Sequence, residues 1–306
     1  MRVSRDLIGA AAGPVALTIG NFDGVHRGHQ AMLTRLVEAA ADLDVAPAVL
    51  TFDPHPREFF AAAAAPARLS VLRSKLELFR AFGVAQVWVA RFDARLAALP
   101  AEAFVHDVLE RSLRTRWLLV GEDFRFGQGR RGNLDLLRAK PRGFTIEAIR
   151  TVSVDGERAS STAVRNALAA GELERAAALL GRSYTISGHV AHGRKLGRNL
   201  GFPTANLPLR HRPPLSGIFT VRVHGLPGGP HRGVASIGVR PTLESGGAPV
   251  LEVFLLDFEQ AIYGRRVTVE FLAKLREEER YADLDALARQ IGTDVAQARE
   301  YFASLS

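Results

Sequence analysis

The chain reads as an α/β half built on a parallel sheet, followed by an antiparallel β half, barrel or sandwich, and a last helix. Three observations predict this. Strand-like and helix-like stretches alternate through the first half, the signature of a parallel sheet covered on both faces. Near Gly181–Thr185 the alternation gives way to short strands separated by Pro- and Gly-rich turns, the signature of an antiparallel architecture. The length, 306 residues, is long for one domain and comfortable for two. The expected domains are therefore 1–183 and 184–306.

Taken in order, the strand-like runs of the first half are Val15–Ile19, Ala46–Phe52, Val84–Ala90, Trp117–Val120 and Phe144–Ile149. Helical spacing of apolar residues marks His29–Ala41, Ser74–Phe82 and Ala101–Leu113 between them. The run Ala61–Ala65, bounded by Pro66, fits a flap or a helical turn equally. Ser161–Ala170 and Leu173–Leu180 are helical and end this half. The second half offers strands at Thr185–Ala191, Ile218–Val223, Gly233–Ile237, Val250–Asp257 and Arg266–Phe271, and a helix from about Leu284 to Phe302. Turns carry Pro213-Pro214, Leu226–Pro230 and Glu244–Gly247.

Composition narrows the function classes. A hydrophobic content of 47% supports sizeable cores. No uninterrupted apolar run approaches the roughly 20 residues that cross a bilayer, so no membrane partner is expected. Residues 1–12 carry Arg2, Arg5 and Asp6 and lack the apolar core of a secretory signal. The chain has no cysteine, which excludes a disulfide scaffold and fits a cytoplasmic enzyme. The net charge of +8 is dispersed among acidic residues, as in Arg276–Arg280. Anionic small ligands account for it without nucleic acid.

The chemistry of the first half concentrates where strands end. Gly20-Asn21-Phe22-Asp23-Gly24-Val25-His26-Arg27-Gly28-His29 joins a strand to a helix. Such a turn presents unpaired N–H groups and the positive end of the helix dipole, which suits phosphate. Gly24 and Gly28 allow close backbone approach. Two imidazoles there can stabilise charge on a departing pyrophosphate. Without cysteine or a compact third ligand, the pair does not read as a metal site. Asp53-Pro54-His55-Pro56 is a stiff turn after the second strand, able to wall a pocket or to serve as an ordinary loop. Gly121–Gly127 combines Glu122 and Asp123 with Phe124 and Phe126, rings that fit a site or the core. Ser160-Ser161-Thr162-Ala163-Val164-Arg165 opens a helix, as a plain N-cap or as a second phosphate grip clamped by Arg165.

The second half carries Gly193-Arg194-Lys195-Leu196-Gly197-Arg198-Asn199-Leu200-Gly201, a glycine-rich basic loop able to fold over a polyphosphate. It lacks the Gly-Lys-Ser/Thr ending of a Walker loop. Pro203-Thr204-Ala205-Asn206 follows, with a hydroxyl and an amide oxygen two residues apart, hard donors that suit Mg²⁺ on ATP. In Val250–Asp257, alternation puts Glu252 on one face with Phe254 and Leu256. A carboxylate in such an apolar strand is expected to be either paired or functional, and partial desolvation would make it a better base.

The first set of motifs resembles the His-x-Gly-His nucleotidyltransferases, and its fuller form the bacterial bifunctional riboflavin kinase/FAD synthetases. The second set is similar to riboflavin kinase, which Gly233–Thr242, Tyr263-Gly264 and Arg276 also match. The resemblance covers nearly the whole chain. It implies a Rossmann-like nucleotidyltransferase domain with a parallel sheet, then a six-stranded antiparallel β-barrel followed by a helix. It implies phosphorylation of riboflavin to FMN, then transfer of AMP from ATP to FMN to give FAD and pyrophosphate, with Mg²⁺ as cofactor. By this resemblance His26, His29 and Glu252 are catalytic. Gly20, Asn21, Phe22, Asp23, Gly28, Ser161, Thr162, Arg165, Gly193, Lys195, Gly197 and Arg198 face ATP. Asp53, Pro54, His55, Asp123 and Arg276 face flavin, and Thr204 and Asn206 hold the metal. Ala159 and Val164 replace common isoleucines, and Asp123 stands where asparagine is frequent, adding a negative charge beside a phosphorylated flavin. The partners expected are riboflavin, FMN and ATP, in a monomer or weak homo-oligomer.

Overall fold

In the first half, every strand that the sequence marks as continuously apolar is covered on both sides. A computed structural model describes residues 1–7, 11–139, 142–192, 202–239 and 249–305. They form two compact units, 1–66 with 70–161, and 67–69 with 162–306.

The first unit is a parallel sheet. Its strands are β1 (Arg2–Ser4), β2 (Val15–Ile19), β3 (Ala46–Phe52), β4 (Gln86–Ala90), β5 (Thr115–Gly121) and β6 (Thr145–Ile149). Their order is β1-β4-β3-β2-β5-β6, parallel throughout. All five residues of β2 are buried. Successive side chains alternate between faces, so Val15, Leu17 and Ile19 join one core with Leu50, Trp88 and Leu118. Ala16 joins the other, with Val49, Val87 and Leu119. Helix α1 (Arg27–Asp42) supplies Leu33 and Leu36 to this second core, and α3 (Leu72–Ala81) supplies Phe79. Burying each such side chain contributes about 1.5–3 kcal/mol. Winding reverses at β2, which pairs with β3 on one side and β5 on the other. The crevice beyond the carboxyl ends of β2 and β5 is therefore the place where such sheets bind ligands.

Two details differ from the sequence reading, and a third settles an open alternative. β1 is a three-residue edge strand, too short for a periodic signal. The segment expected as one helix over Ala101–Leu113 starts as α-helix at Ala101–Ala103 and continues as π-helix over Phe104–Ser112. Its apolar residues still reach the core through Phe104, Val105 and Leu109. Ala62–Ala64 form a single 3-10 turn.

The second unit begins with two helices, Ser161–Ala169 and Leu173–Leu180. Six antiparallel strands follow: β9 (Thr185–His189), β10 (Thr204–Pro208), β11 (Gly217–His224), β12 (His231–Val239), β13 (Pro249–Leu255) and β14 (Arg266–Arg276); β7 (Ser153–Val154) and β8 (Glu157–Arg158) are a small hairpin of the first unit. Their order is β10-β13-β12-β11-β14-β9. The Ala191 N–H donates to the Asn206 carbonyl at 2.8 Å, bringing the end of β9 onto β10. The sheet thus curls into a nearly closed barrel, not a sandwich. β10 escaped the sequence reading because Thr204–Pro208 mixes polar residues with a proline and shows no clear alternation.

Leu207, Leu251, Val253, Ala235, Ile237, Phe219 and Phe271 fill the inside of the barrel. On the outside, Ile218 and Val234 are covered by Ala298 and Val295 of the last helix, Leu284–Ala303. Asp283 caps that helix by accepting from the Ala286 N–H at 2.7 Å. Arg276, at the end of β14, donates from Nε and Nη2 to Asp294 at 2.8 and 2.7 Å. Both side chains are withdrawn from water, 17% and 3% exposed. Removing one partner of such a pair leaves a buried charge uncompensated. Asp294→Ala should lose about 3–5 kcal/mol in urea unfolding monitored by circular dichroism. A loss below about 1 kcal/mol, the worth of a surface pair, would show that the pair does not hold the helix.

Candidate active sites

In the first unit the site grows from the turn between β2 and α1. His26 is the N-cap of α1, in extended conformation, and its side chain makes no capping bond. The first-turn N–H groups are therefore not satisfied by a side-chain cap. His26 and His29 stack on this turn with ring centres 3.7 Å apart. Phe22 packs against His29 at 4.9 Å. Phe22 and Val25 both adopt positive φ, 50° and 43°, costly for a bulky and a β-branched residue. Both are fully buried, and that burial holds the turn in place.

Polar contacts fix the same turn from behind. Asp23 accepts from the Ser70 N–H and Oγ at 3.1 and 3.3 Å. The Gly24 N–H donates to Ser70 Oγ, and Ser161 Oγ donates to the Asp23 carbonyl. Asp23 and Ser161, expected at ATP, are thus also braces of the loop. Lys75, buried in α3, donates from Nζ to the Asn21 carbonyl at 3.1 Å. Ser70 and Lys75 escaped the sequence reading. Lys75 had a signal: it stands at helical spacing with Leu72 and Phe79, so it belongs to the buried face.

These contacts leave recognisable vacant valences. Asn21 Oδ1 and His29 Nδ1 are buried without a hydrogen-bond partner among the described residues. Buried polar atoms are otherwise almost always paired. The His29 imidazole is held well below its ordinary pKa, first by desolvation, then by the nearby positive charges of His26 and Lys75. A cavity of about 480 Å³ opens here, lined by Gly20, Phe22, His26, Gly28, His29, Gly121–Phe124, Ile149–Val152 and Arg158–Ser160. Gly28 is needed for close approach: a Cβ there would lie 3.2 Å from both the Ala159 carbonyl oxygen and the His26 ring. Asp123 lines the cavity in an ion pair with Arg158 at 2.7 Å, so its extra negative charge is locally balanced.

Asp53, Pro54 and His55 follow β3 and do not line this cavity. The Asp53–Pro54 peptide is cis. His55 is committed to helix α2 (Pro56–Phe60): its Nδ1 accepts from the Arg57 N–H and its own N–H donates to Glu58, a capping box. Thr162 and Arg165 belong to the second unit, where Arg165 donates from Nε to the Ala67 carbonyl at 2.7 Å.

The candidate site of the second unit combines a cavity lined partly by the interior residues Val253 and Leu255 with the face outside the barrel. Gly193, Lys195, Gly197 and Arg198 of the glycine loop lie outside the described residues, as do residues 240–242. Thr204 and Asn206 point to one face of β10 and line a cavity of about 260 Å³ with Pro203, Phe258, Ile262 and Tyr263. Asn206 Nδ2 donates to the Thr204 carbonyl at 3.3 Å, which orients the amide. Glu252 is the register partner of Asn206 on β10 and of Ser236 on β12, so the three share a face. That face corrects the sequence reading. Leu251, Val253 and Leu255 fill the barrel interior, whereas Glu252 and Phe254 are half-buried outside it; Leu256 lies beyond the strand. The case for Glu252 rests on its neighbours, not on burial in an apolar core. Ser236 Oγ donates to a further carboxylate, Glu278, at 3.3 Å. The Glu278 pKa is raised, first by desolvation, with Glu252 and Glu277 adding repulsion against the opposing Ser236 bond and Arg276 charge. Arg276, expected on the flavin side, has its fork on Asp294.

Comparison with known proteins agrees with this division. A family model described as FAD synthetase matches residues 9–163, and one described as riboflavin kinase matches residues 180–302. A bifunctional riboflavin kinase/FMN adenylyltransferase of Pseudomonas fluorescens is 51% identical over 92% of this chain and 91% of its own. That of Escherichia coli K12 is 49% identical over 94% and 92%. A solved structure from Streptococcus pneumoniae, described as a macrolide-efflux protein, matches with TM-score 0.81 and 26% identity over 97% of this chain and 98% of that one. Among the described residues here, no helix is long and apolar enough to cross a membrane.

The depressed His29 pKa has a consequence for stability. Between the folded value and the ordinary 6.5, the unfolded chain binds a proton that the folded chain refuses. Stability is therefore complete above about pH 6.5 and is lost as pH falls below it. In urea titrations from about pH 7.5 to 5.5, His29→Gln should flatten this decline. A decline of equal slope in the variant would assign it to other groups.

Proposed function

The chain belongs to the bifunctional riboflavin kinase/FMN adenylyltransferase family, and from that premise we propose how its residues divide two reactions. With ATP, the enzyme phosphorylates riboflavin to FMN and then transfers AMP to FMN, giving FAD and pyrophosphate. Residues 1–183 carry adenylyl transfer and residues 184–306 carry phosphorylation.

In the first reaction the FMN phosphate is already an anionic nucleophile, so no general base is required. It attacks the α-phosphorus of ATP and pyrophosphate leaves. Catalysis is then positioning plus charge stabilisation. His26 and His29, with the N-terminus of α1, receive the ATP phosphates. Gly20, Asn21, Phe22, Asp23 and Gly28 shape the loop, and Ser161, Thr162 and Arg165 supply the second phosphate grip. Asp53, Pro54, His55 and Asp123 face the flavin, His55 through the stiff turn that its own capping bonds maintain. The observation that carries this reading is the uncapped helix terminus with its stacked imidazoles and the unpartnered Asn21 and His29 atoms.

In the second reaction Glu252 takes the proton of the terminal ribityl hydroxyl as that oxygen attacks the γ-phosphorus of ATP, and ADP leaves. The loop with Gly193, Lys195, Gly197 and Arg198 covers the phosphates, and Arg276 serves the flavin side while Asp294 holds its fork. Thr204 and Asn206 offer a hydroxyl and an amide oxygen on one strand face. That sparse set of hard donors fits Mg²⁺, which keeps waters and phosphate oxygens as its other ligands. When bound there, Mg²⁺ neutralises charge on the transferring phosphate. The dispersed charge, the lack of cysteine and the small anionic substrates support a cytoplasmic monomer or weak homo-oligomer without nucleic-acid or membrane partners.

Flavin-stripped protein given ATP, Mg²⁺ and either riboflavin or FMN should yield FMN and FAD in turn, separated by chromatography. His29→Ala should lower FAD formation from FMN by about 10²–10³-fold and spare the kinase. Glu252→Gln should lower FMN formation by about 10²–10⁴-fold while FAD formation from supplied FMN persists. Unimpaired FAD synthesis in the first variant would refute the imidazole assignment, and unimpaired FMN formation in the second would refute Glu252 as the base.

A further inference from the structure

The barrel face that carries Glu252 also carries a carboxylate that neither reaction uses as described. Direct register places Asn206, Glu252, Ser236, Ile218 and Arg276 opposite one another on β10, β13, β12, β11 and β14. Register partners share a face, so these residues form one row across the outside of the barrel. Adjacent strands lie about 4.8 Å apart, which puts the backbone of Arg276 roughly 14 Å from that of Glu252. Glu278, two residues past the end of β14, folds back over this row. Its carboxylate accepts from Ser236 Oγ at 3.3 Å, and it comes near enough to Glu252 for the two charges to repel.

Gly238 makes room for that carboxylate. It lies on β12 two residues after Ser236, on the same face. A Cβ built there would overlap all three heavy atoms of the Glu278 carboxyl group. Its φ is not in the left-handed region, so it is the missing side chain and not the backbone conformation that leaves room for the carboxylate. Ser236 and Gly238 thus belong to a seat that holds an acceptor one strand away from Glu252.

The substrate has a part to match. Riboflavin joins a flat ring to a polyol chain whose terminal hydroxyl reacts, while its secondary hydroxyls are donors that lose water on binding. With the terminal hydroxyl at Glu252, a chain reaching one step along the row brings secondary hydroxyls over Ser236, about one strand spacing away and short of Ile218 beneath the last helix. We infer that Ser236 and Glu278, seated on Gly238, recognise the secondary hydroxyls of the ribityl chain and so select flavins that carry a polyol. This rests on the reading of Glu252 as the base, which fixes where the chain ends. A carboxylate accepting from a hydroxyl is a charge-assisted bond, stronger than a neutral one. A ligand without the hydroxyl leaves the acceptor unsatisfied, the most discriminating form of recognition.

The test is equilibrium binding, read by flavin fluorescence with ADP and Mg²⁺ present, of riboflavin and of lumiflavin, the same ring with a methyl in place of the polyol. Glu278→Ala should weaken riboflavin roughly 10- to 100-fold and leave lumiflavin unchanged, with Glu278→Gln recovering part of the loss. Gly238→Ala, which evicts the carboxylate without removing it, should reproduce the Glu278→Ala pattern. Ser236→Ala should weaken riboflavin selectively by a smaller factor, which keeps the test open if Gly238→Ala unfolds in thermal melting. Equal weakening of both flavins, or unchanged riboflavin binding in Glu278→Ala, would overturn the inference. Binding needs no proton transfer, so failure of Glu252 as the base would appear separately, as retained turnover in Glu252→Gln.

Discussion

The N-terminus of α1 is left without a side-chain cap at the carboxyl edge of a sheet buried on both faces, and the first unit is arranged around that fact. A helix end with unsatisfied N–H groups is a liability in a dry place and an anion site in a cleft. Here it opens where the winding of the sheet reverses, so the loops after β2, β5 and β6 part around it. The turn is held open by pieces that pull against its preferred shape. Phe22 and Val25 keep positive φ because their side chains are buried, and Asp23 and Asn21 are gripped by Ser70 and Lys75. Rigid support of this kind is what electrostatic catalysis requires, since donors must already be aimed when charge develops.

His29 shows the cost of that arrangement. Its imidazole is desolvated and lies near the charges of His26 and Lys75, so the neutral ring is favoured. Incoming phosphate charge relieves the same repulsion. The positive surroundings that destabilise a proton on His29 are the ones that, in the proposed adenylyl transfer, attract polyphosphate.

The second unit solves a different problem. A small barrel fills its inside with apolar side chains, which leaves chemistry to the outside. Alternation along β10, β12 and β13 sends Leu207, Ala235 and Val253 inward and Asn206, Ser236 and Glu252 outward. One end of the resulting polar row is shielded by the last helix, which packs on Ile218 and Val234 and is pinned by Asp294 to Arg276. The row is therefore bounded by apolar cover on one side and by the cavity beside Thr204 on the other.

Local order was legible in the sequence because it depends on local patterns. The bounds of β2, β3 and the helix Leu173–Leu180 follow from apolar runs and period alone, and the motif after β2 announced phosphate chemistry through residue types that few other sites need. What the sequence left open required partners distant along the chain. The strand pattern alone left barrel or sandwich open; the family resemblance implied a six-stranded barrel, and the backbone bond from Ala191 to Asn206 curls the sheet that way. The face of Glu252 was misjudged because strand alternation gives two faces without saying which is inside. Lys75 and Ser70 gained their roles only when folding set them behind a loop some fifty residues away. Glu278 lies outside any strand, so no period could place it over Ser236. Sequence by itself determined those strands and helices that carry a clear apolar run or period, because these depend on side-chain type and spacing. Tertiary structure alone decided which carboxylate meets which hydroxyl, because strand register and loop return fix neighbours across the fold.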